Sequence, residues 1–255
     1  MPTIDDYEPG TPSWVDLAST DLPSSVRFYT ELFGWSAEDQ GPESGGYHMF
    51  MKDGRPIAGG LATMMEGQPS AWMSYVSVAD ADSTVDRIKR AGGTVFVEPM
   101  DVMTAGRMAV AADPTGAAFG VWQPKEHRGA GIVNEPGSLT WNELNTRDVD
   151  AALDFYPRVF DWEPETHRGE MDYTEWKVGG RTIAGMMSMP EVVPADVPSH
   201  WLVYFATADC DASAEKASGL GGTVVNGPMD IEPGRFAVVL DPTGAAFAVI
   251  ATKAV

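Results

Sequence analysis

Residues 113–119 read DPTGAAF, and the same seven letters return at residues 241–247. A proline followed two residues later by a glycine suits a tight turn, because proline fixes φ and glycine tolerates a positive φ. Apolar segments flank both copies, so each turn is predicted to join two strands. An exact repeat at this distance indicates that the chain contains two copies of one structural unit.

The repeat extends well beyond this motif. Trp14 in the segment SWVDL returns as Trp141 in TWNEL, at an offset of 127 residues. Further pairs keep this order at offsets of 126 to 129: residues 27–35 with 154–162, Ile57 with Ile183, Trp72 with Trp201, Gly92 with Gly221, and Arg107 with Arg235. The sequence therefore predicts a first module at residues 1–125, a linker at 126–137 and a second module at 138–255.

Each module is predicted to contain the same strands and helices. An alternating strand at 14–18 leads to Asp21, which can cap a helix that ends near Gly34. Asp148 and Asp161 are the equivalent residues of the second module. Shorter strands, a second helix ending at paired glycines, and the strand pair around DPTG follow. Each half is predicted to be a βαβββ unit twice over, in an α+β fold.

Composition and charge exclude several classes of protein. The formal net charge of −20 disfavours nucleic acid as a partner, since anionic polymers are repelled. A single cysteine, Cys210, excludes an internal disulfide and fits the reducing cytoplasm. No stretch approaches the roughly 20 apolar residues that cross a bilayer, and the amino terminus does not resemble a secretory signal. We expect a cytoplasmic protein with no membrane or nucleic-acid partner.

Taken together, these segments resemble the vicinal-oxygen-chelate superfamily, which includes glyoxalases, bleomycin-resistance proteins and extradiol dioxygenases. The resemblance rests on the SxxFYxxxFGW helix from Ser25 to Trp35, the glycine-ended second helix and the DPTG turn, in the same order in both halves. It implies tandem modules whose curled mixed sheets surround open clefts, with the helices outside.

Enzymes of this superfamily commonly bind a divalent metal through His, Gln or Glu at equivalent strand positions. Carried over to this sequence, these positions fall on Trp14, Met73, Gly120, Trp141, Leu202 and Ala248. None of these is a hard-metal donor. Asp16 and Glu143 share a strand face with the two tryptophans, but one carboxylate per cleft is better explained as a hydrogen-bond acceptor or counter-charge. We expect no metal and no other cofactor.

Aromatic and methionine side chains are predicted to line the two clefts. The proposed ligand-binding residues of the first module are Trp14, Asp16, Tyr47, Met49, Met73, Tyr75, Met103 and Trp122. Those of the second module are Trp141, Glu143, Trp176, Leu202 and Tyr204, and Tyr173 lies on the same predicted strand as Trp176. Planar groups pack well between aromatic faces, and methionine adapts to irregular shapes. The alternative is that Trp14 and Trp141 fill the core and plug an old site.

Two classes of function stay open at this point. The first is a metal-independent binding protein whose ligand is an aromatic natural product or antibiotic, either neutral or cationic. Such a protein would provide resistance to the compound, or would act as the accessory partner of a biosynthetic tailoring enzyme. The second is a lyase, isomerase or hydroxylase of secondary metabolism, with its catalytic residues unassigned and metal-dependent glyoxalase or dioxygenase activity disfavoured. We expect a monomer or weak dimer, and Arg107 and Arg235 are equally compatible with anchoring the fold or contacting a ligand.

Overall fold

The computed structural model describes residues 4–169, 171–190 and 193–253. These residues form four α-helices and sixteen strands. The elements of the first half are β1 (Pro12–Ser19), α1 (Leu22–Phe33), β2 (Ser36–Asp39), β3 (His48–Lys52), β4 (Arg55–Ala62), β5 (Ala71–Ser77), α2 (Ala81–Arg90), β6 (Thr94–Val102), β7 (Gly106–Ala112) and β8 (Ala118–Pro124). Those of the second half are β9 (Leu139–Thr146), α3 (Val149–Phe160), β10 (Glu163–His167), β11 (Tyr173–Val178), β12 (Arg181–Ser188), β13 (His200–Ala206), α4 (Cys210–Gly219), β14 (Thr223–Ile231), β15 (Gly234–Leu240) and β16 (Ala246–Thr252).

The predicted helix caps are present. The side chain of Asp21 accepts a hydrogen bond from the Ser24 amide, and that of Asp148 accepts one from the Ala151 amide. Both bonds satisfy amide groups that have no partner inside the first turn of a helix. Gly34 and Asp161 end the same helices in the left-handed conformation. Local sequence therefore sets both ends of these helices in each half.

Each half forms its own eight-stranded mixed sheet. The strand order is β2-β3-β4-β1-β5-β8-β7-β6 in the first half and β10-β11-β12-β9-β13-β16-β15-β14 in the second. The pairs β1–β4 and β5–β8 are parallel, and their neighbours in the sheet are antiparallel. Neither sheet closes on itself, so the prediction of tandem α+β modules with curled mixed sheets is confirmed.

The hydrophobic cores do not follow the same boundary as the sheets. One core joins α1 and β1 of the first half to α4, β13 and β16 of the second, and Phe33 packs 5.2 Å from Phe205, measured between ring centroids. The other core joins α3 to β5 and β8, and Phe160 packs 5.7 Å from Phe119. The helices lie outside the clefts, as predicted, but between the two sheets. Each half therefore supplies a helix that completes the core of the other.

The repeated DPTG turn links each half to the first helix of the other half by a hydrogen bond. Oδ1 of Asp113 accepts hydrogen bonds from the backbone and side chain of Thr115, which holds the turn, while Oδ2 accepts one from the hydroxyl of Tyr156 on α3 at 2.9 Å. In the other copy, Oδ2 of Asp241 accepts a bond from the hydroxyl of Ser25 on α1 at 3.1 Å. Both aspartates are buried, so the motif is an inter-module anchor and not an exposed site.

The prediction of a βαβββ unit twice over gives the observed number of strands in each half, but no positions for β2, β6, β10 and β14 were predicted from the sequence. All four lie at the edges of their sheets. Their residues are largely exposed, and β10 has the sequence EPETH without a buried residue. β2 and β10 are short and polar, whereas β6 and β14 each combine consecutive apolar residues with a proline, so none of the four shows the strict apolar–polar alternation that identifies a strand. None of the helices in the described part of the chain is long and apolar enough to cross a membrane.

Candidate ligand clefts

The face of the first sheet that lies opposite the helices carries a separate aromatic group. Trp14, Tyr75 and Trp122 pack there with Ala130, and the half-buried side chains of Met49, Met73 and Met108 lie against them. We call this group, together with Asp16 and Tyr47, the first cleft. Trp14 comes from β1, Tyr75 from the adjacent β5, and Trp122 from β8, so three central neighbouring strands supply its aromatic floor.

A hydrogen-bond network centres on the carboxylate of Asp16. Its Oδ1 accepts a bond of 2.7 Å from the indole nitrogen of Trp14 and one of 2.5 Å from the hydroxyl of Tyr47. The same indole nitrogen also lies 3.0 Å from the Tyr47 hydroxyl. Gly59 permits this packing, because a Cβ at that position would overlap both the Tyr47 hydroxyl and Asp16. The indole is therefore held by its polar edge while its apolar rings form part of the floor.

Burial raises the pKa of the Asp16 carboxyl to about 6, although the hydrogen bonds from Tyr47 and Trp14 act in the opposite direction. The pKa values of Tyr47 and Tyr75 are raised well above the ordinary tyrosine value, first by burial and then by the nearby Asp16 charge. Both hydroxyls consequently keep their protons and act as donors toward the carboxylate. Asp16 is the one group of this network that titrates near neutral pH.

The second cleft has the same positions with different bonding. Trp141, Glu143, Tyr173 and Tyr204 stand where the first cleft has Trp14, Asp16, Tyr47 and Tyr75. Oε2 of Glu143 accepts a bond from the Tyr173 hydroxyl and Oε1 accepts one from the Tyr204 hydroxyl, both at 2.9 Å. The indole nitrogen of Trp141 donates to the Tyr173 hydroxyl at 3.0 Å. Leu202, Ala248, Ile250 and Phe236 complete the apolar floor.

Burial raises the pKa of Glu143 above its usual range, against the hydrogen bonds from Tyr204 and Tyr173. Each cleft thus places one desolvated carboxylate beneath aromatic rings. The tryptophans differ in exposure, because Trp14 is 4 % exposed whereas Trp141 is only half-buried.

Part of this difference in exposure comes from the linker at residues 126–137. Contact between this linker and a cleft was not predicted from the sequence. The imidazole of His127 stands edge-on to Trp14, with 4.3 Å between ring centroids, and lies 5.6 Å from Trp122. The indole nitrogen of Trp122 donates to the backbone carbonyl of His127 at 2.9 Å, and the amide of Ala130 donates to the carbonyl of Ser13 at 2.8 Å. Residues 127–130 therefore run across the first cleft and cover its tryptophans.

Two of the predicted cleft residues lie elsewhere. Trp176 is fully buried on the helix side of the second sheet, against Tyr156 and Trp162. It corresponds to Phe50 of the first half, whereas Tyr173, three residues earlier on the same strand, points into the cleft. Residues three apart in a strand face opposite sides, so Tyr173 and Trp176 cannot share one. Met103 lies in the turn between β6 and β7 and is 63 % exposed. The other predicted residues lie together, in the first cleft or in the second.

Arg107 and Arg235 do not contact the clefts through their charged groups. The guanidinium of Arg107 makes two hydrogen bonds to Asp82 at the start of α2, with Nε at 2.8 Å, and Arg235 bonds Asp211 at the start of α4 in the same way. Of the two interpretations that the sequence left open, these contacts favour anchoring of the second helix of each half.

The residues at the superfamily's ligand positions do not fit a divalent metal. Each cleft offers one carboxylate, and the oxygens of that carboxylate accept hydrogen bonds from tyrosine hydroxyls and, in the first cleft, from an indole. Across residues 4–169, 171–190 and 193–253, no three His, Cys, Asp or Glu side chains are grouped as metal ligands would be. An indole or an aliphatic side chain has no lone pair to offer such an ion.

Proteins of similar sequence span nearly the whole chain. The candidate glyoxylase CFP32 of Mycobacterium tuberculosis is 44% identical over 260 residues, which covers 98% of this chain and 98% of that protein. The anthracycline biosynthesis protein DnrV of Streptomyces peucetius is 41% identical over 260 residues, which covers 96% of this chain and 94% of that protein.

Solved structures share the fold at low identity. A Mn(II)-bound glyoxalase from Novosphingobium aromaticivorans superposes with a TM-score of 0.66 at 14% identity, over 95% of this chain and 82% of its own. The 2,3-dioxygenase LapB from Pseudomonas sp. KL28 gives a TM-score of 0.66 at 14% identity, over 96% and 92%. The family model matches residues 11–121 and 136–249, one match for each half. The chain therefore belongs to the glyoxalase/bleomycin resistance protein/dioxygenase superfamily.

Proposed function

We propose that this protein binds a flat aromatic small molecule in its clefts without a metal. The observation that carries the proposal is the indole at the first-strand position of both clefts, fixed by its N–H to Asp16 and Tyr47 in one half and to Tyr173 in the other. The core tryptophans Trp72 and Trp201 also donate their N–H groups, to Tyr29 and Tyr156, so what sets Trp14 and Trp141 apart is their position on the sheet faces opposite the helices. In the second cleft, where Trp141 is only half-buried, an indole fixed at its polar edge presents a rigid apolar surface, which suits stacking against a planar ligand.

The surroundings of each indole support the same function. In the first cleft three half-buried methionines, Met49, Met73 and Met108, adjoin the aromatic floor. Methionine side chains change shape at little cost, so they can admit ligands of different outline. Asp16 and Glu143 add one acceptor or counter-charge per cleft, which would suit a hydroxyl or ammonium group on the ligand.

The biological setting that we propose is secondary metabolism. One relative is named as an anthracycline biosynthesis protein, and the superfamily's name includes bleomycin resistance. A binder of aromatic natural products would confer resistance by sequestering the compound, or would assist a biosynthetic tailoring enzyme by removing an inhibitory product. Both roles need only reversible binding.

Calorimetric titration of the protein with the anthracycline daunorubicin tests this function. We expect micromolar affinity, and we expect Trp141→Phe to weaken it about tenfold, because phenylalanine offers a smaller surface and loses the bond to Tyr173. Trp201→Phe is the matched control, since Trp201 lies in a helix-side core, and should leave the affinity unchanged. Absence of binding by the wild-type protein, or equal affinities of wild type and Trp141→Phe, would contradict the proposal.

A proton-transfer enzyme is the second candidate. It is favoured by the Asp16 carboxyl, whose pKa is raised to about 6 by burial and which lies 2.5 Å from the Tyr47 hydroxyl. A carboxylate of this pKa can act as a general base near neutral pH. Assay of the purified protein with the glutathione adduct of methylglyoxal, alongside metal analysis, separates the candidates. The binding function predicts no turnover and no stoichiometric metal, and either finding would replace it with an enzyme.

A further inference from the structure

The first cleft contains a buried polar atom that has no hydrogen-bond partner within the described part of the protein. Nε2 of His127 is buried and has no hydrogen-bond partner in the protein. The ring to which it belongs packs against Trp14 and Trp122, so this nitrogen lies among the aromatic rings of the cleft. A buried nitrogen without a partner costs free energy, and such a group in a cleft is expected where a ligand supplies the missing bond.

The protonation state of His127 indicates what kind of bond is missing. Burial lowers the pKa of this imidazole to about 4, so the ring is neutral at pH 7. A neutral imidazole carries one N–H, and burying a donor without a partner is more costly than burying an acceptor. The proton is therefore expected on Nδ1, which leaves Nε2 as an unpaired acceptor on a ring that packs against Trp14 and Trp122.

We propose that His127 is a ligand-recognition residue of the first cleft, where its Nε2 accepts a hydrogen bond from a hydroxyl group on a planar aromatic ligand. This inference rests on the proposed binding function and adds to it the class of ligand, a hydroxylated arene. Two acceptors, the Asp16 carboxylate and the His127 imidazole, then adjoin the same indole of Trp14. The first cleft selects hydroxylated rings over rings whose hydroxyls are masked.

The second cleft provides a comparison within the same molecule. Of the four histidines in the sequence, His48 and His200 bond nearby backbone carbonyls and His167 lies beside Glu165 and Glu175. Within the described ranges, Trp141 is the equivalent of Trp14 but has no histidine ring packed on it. The second cleft is therefore expected to lack the preference.

The test uses the indole N–H resonances of Trp14 and Trp141 in the full-length protein, since each reports on one cleft. The probes are 2-hydroxyanthraquinone and 2-methoxyanthraquinone. At Trp14 of the wild type we expect the hydroxyl probe to bind about tenfold more tightly than the methoxy probe, the gain typical of one hydrogen bond to a buried group. At Trp141 the two affinities should agree within about twofold.

Two variants assign the preference. His127→Phe keeps a ring against Trp14 but removes the acceptor, so the tenfold preference for the hydroxyl probe at Trp14 should fall to about twofold or less. His127→Gln restores an amide acceptor and should recover part of the preference. His127→Gln also provides a test of the acceptor role if the His127→Phe variant fails to fold.

The outcomes separate this inference from the function on which it rests. A preference for the hydroxyl probe that persists in His127→Phe, or that is absent at Trp14 of the wild type while both probes bind, overturns the role of His127 and leaves the binding function standing. Failure of both probes to move either indole resonance of the wild type counts against the binding function itself, and this inference falls with it.

Discussion

The two clefts differ by a single methylene at their carboxylates, and this difference rearranges the bonding around them. The shorter Asp16 takes the indole of Trp14 and the hydroxyl of Tyr47 on one oxygen. The longer Glu143 reaches two tyrosine hydroxyls with separate oxygens, and the indole of Trp141 bonds Tyr173 instead. Both arrangements satisfy the same indole N–H. The fixed element of the design is therefore the anchored tryptophan, while the carboxylate adapts to it.

Removing the tryptophans should give the largest difference between the clefts. Trp14→Ala empties a buried site and is expected to lower the free energy of unfolding by about 3–5 kcal/mol. Trp141→Ala should cost about half as much, since Trp141 is already half-buried. Urea unfolding of both variants provides the measurement. Equal losses would mean that the linker does not protect the first cleft as its contacts suggest.

Adding a methyl group under each network should instead affect both clefts alike. Gly59→Ala places a Cβ against the Tyr47 hydroxyl, and Gly185→Ala places one against the Tyr173 hydroxyl. Each is expected to cost about 1–3 kcal/mol through overpacking. The comparison is made by thermal unfolding of the two variants and the wild type. A large difference in melting temperature between the two variants would show that the tyrosine of one network can move away from the added methyl group and that of the other cannot.

The carboxylates should differ in their dependence on pH. The raised pKa of Asp16 means that its ionisation opposes folding, so this contribution to stability is complete at low pH and is lost as pH rises through about 6. Asp16→Asn keeps the oxygen acceptor and avoids the buried charge. It should raise the free energy of unfolding by about 1–3 kcal/mol at pH 7.5 and by less than about 1 kcal/mol at pH 4.

Glu143→Gln should gain less than Asp16→Asn at pH 7.5. Each oxygen of Glu143 accepts a tyrosine hydroxyl, and the glutamine amide removes one of those acceptors. Urea unfolding at both pH values measures the two variants together. A larger gain for Glu143→Gln would contradict the assignment of hydrogen bonds in the two networks.

The smallest effect is expected at the two arginines outside the clefts. Arg107→Ala removes surface ion pairs with Asp82 and Asp101, and Arg235→Ala removes those with Asp211 and Asp230. Such pairs contribute little, so both melting temperatures should stay within about 2 °C of the wild type. Anthracycline titration of the same variants should be unchanged. A loss of affinity in either variant would assign that arginine to a binding site after all.

Most of the fold could be predicted because the sequence contains the same pattern of motifs in both halves. Repeated caps at Asp21 and Asp148 and repeated turns at DPTG locate the same elements in both halves, and agreement between the copies corrects for weak local signals. The positions of the edge strands were not predicted, since polar exposed segments such as β2 have no apolar face. The packing of α1 and α3 against the opposite half was not predicted either, because an apolar helix face does not reveal that a second sheet also covers it.

The clefts were predictable where strand alternation could be applied. Trp14, Asp16, Met73 and Tyr75 follow from alternation on two paired strands. Trp176 was placed on the wrong face, although its spacing of three from Tyr173 could have excluded it. His127 had no signal at all, since it lies in a linker without periodicity and reaches the cleft through tertiary contacts alone.

The reciprocal cores have a consequence for how such a chain arises. A single module with this architecture would expose the apolar sheet that another module's helix covers, so a one-module ancestor is expected to exist as a symmetric homodimer. In a homodimer every substitution occurs at both sites at once. Gene fusion releases that constraint, and the presence of aspartate at residue 16 but glutamate at the equivalent residue 143 is a divergence that a homodimer encoded by one gene cannot have.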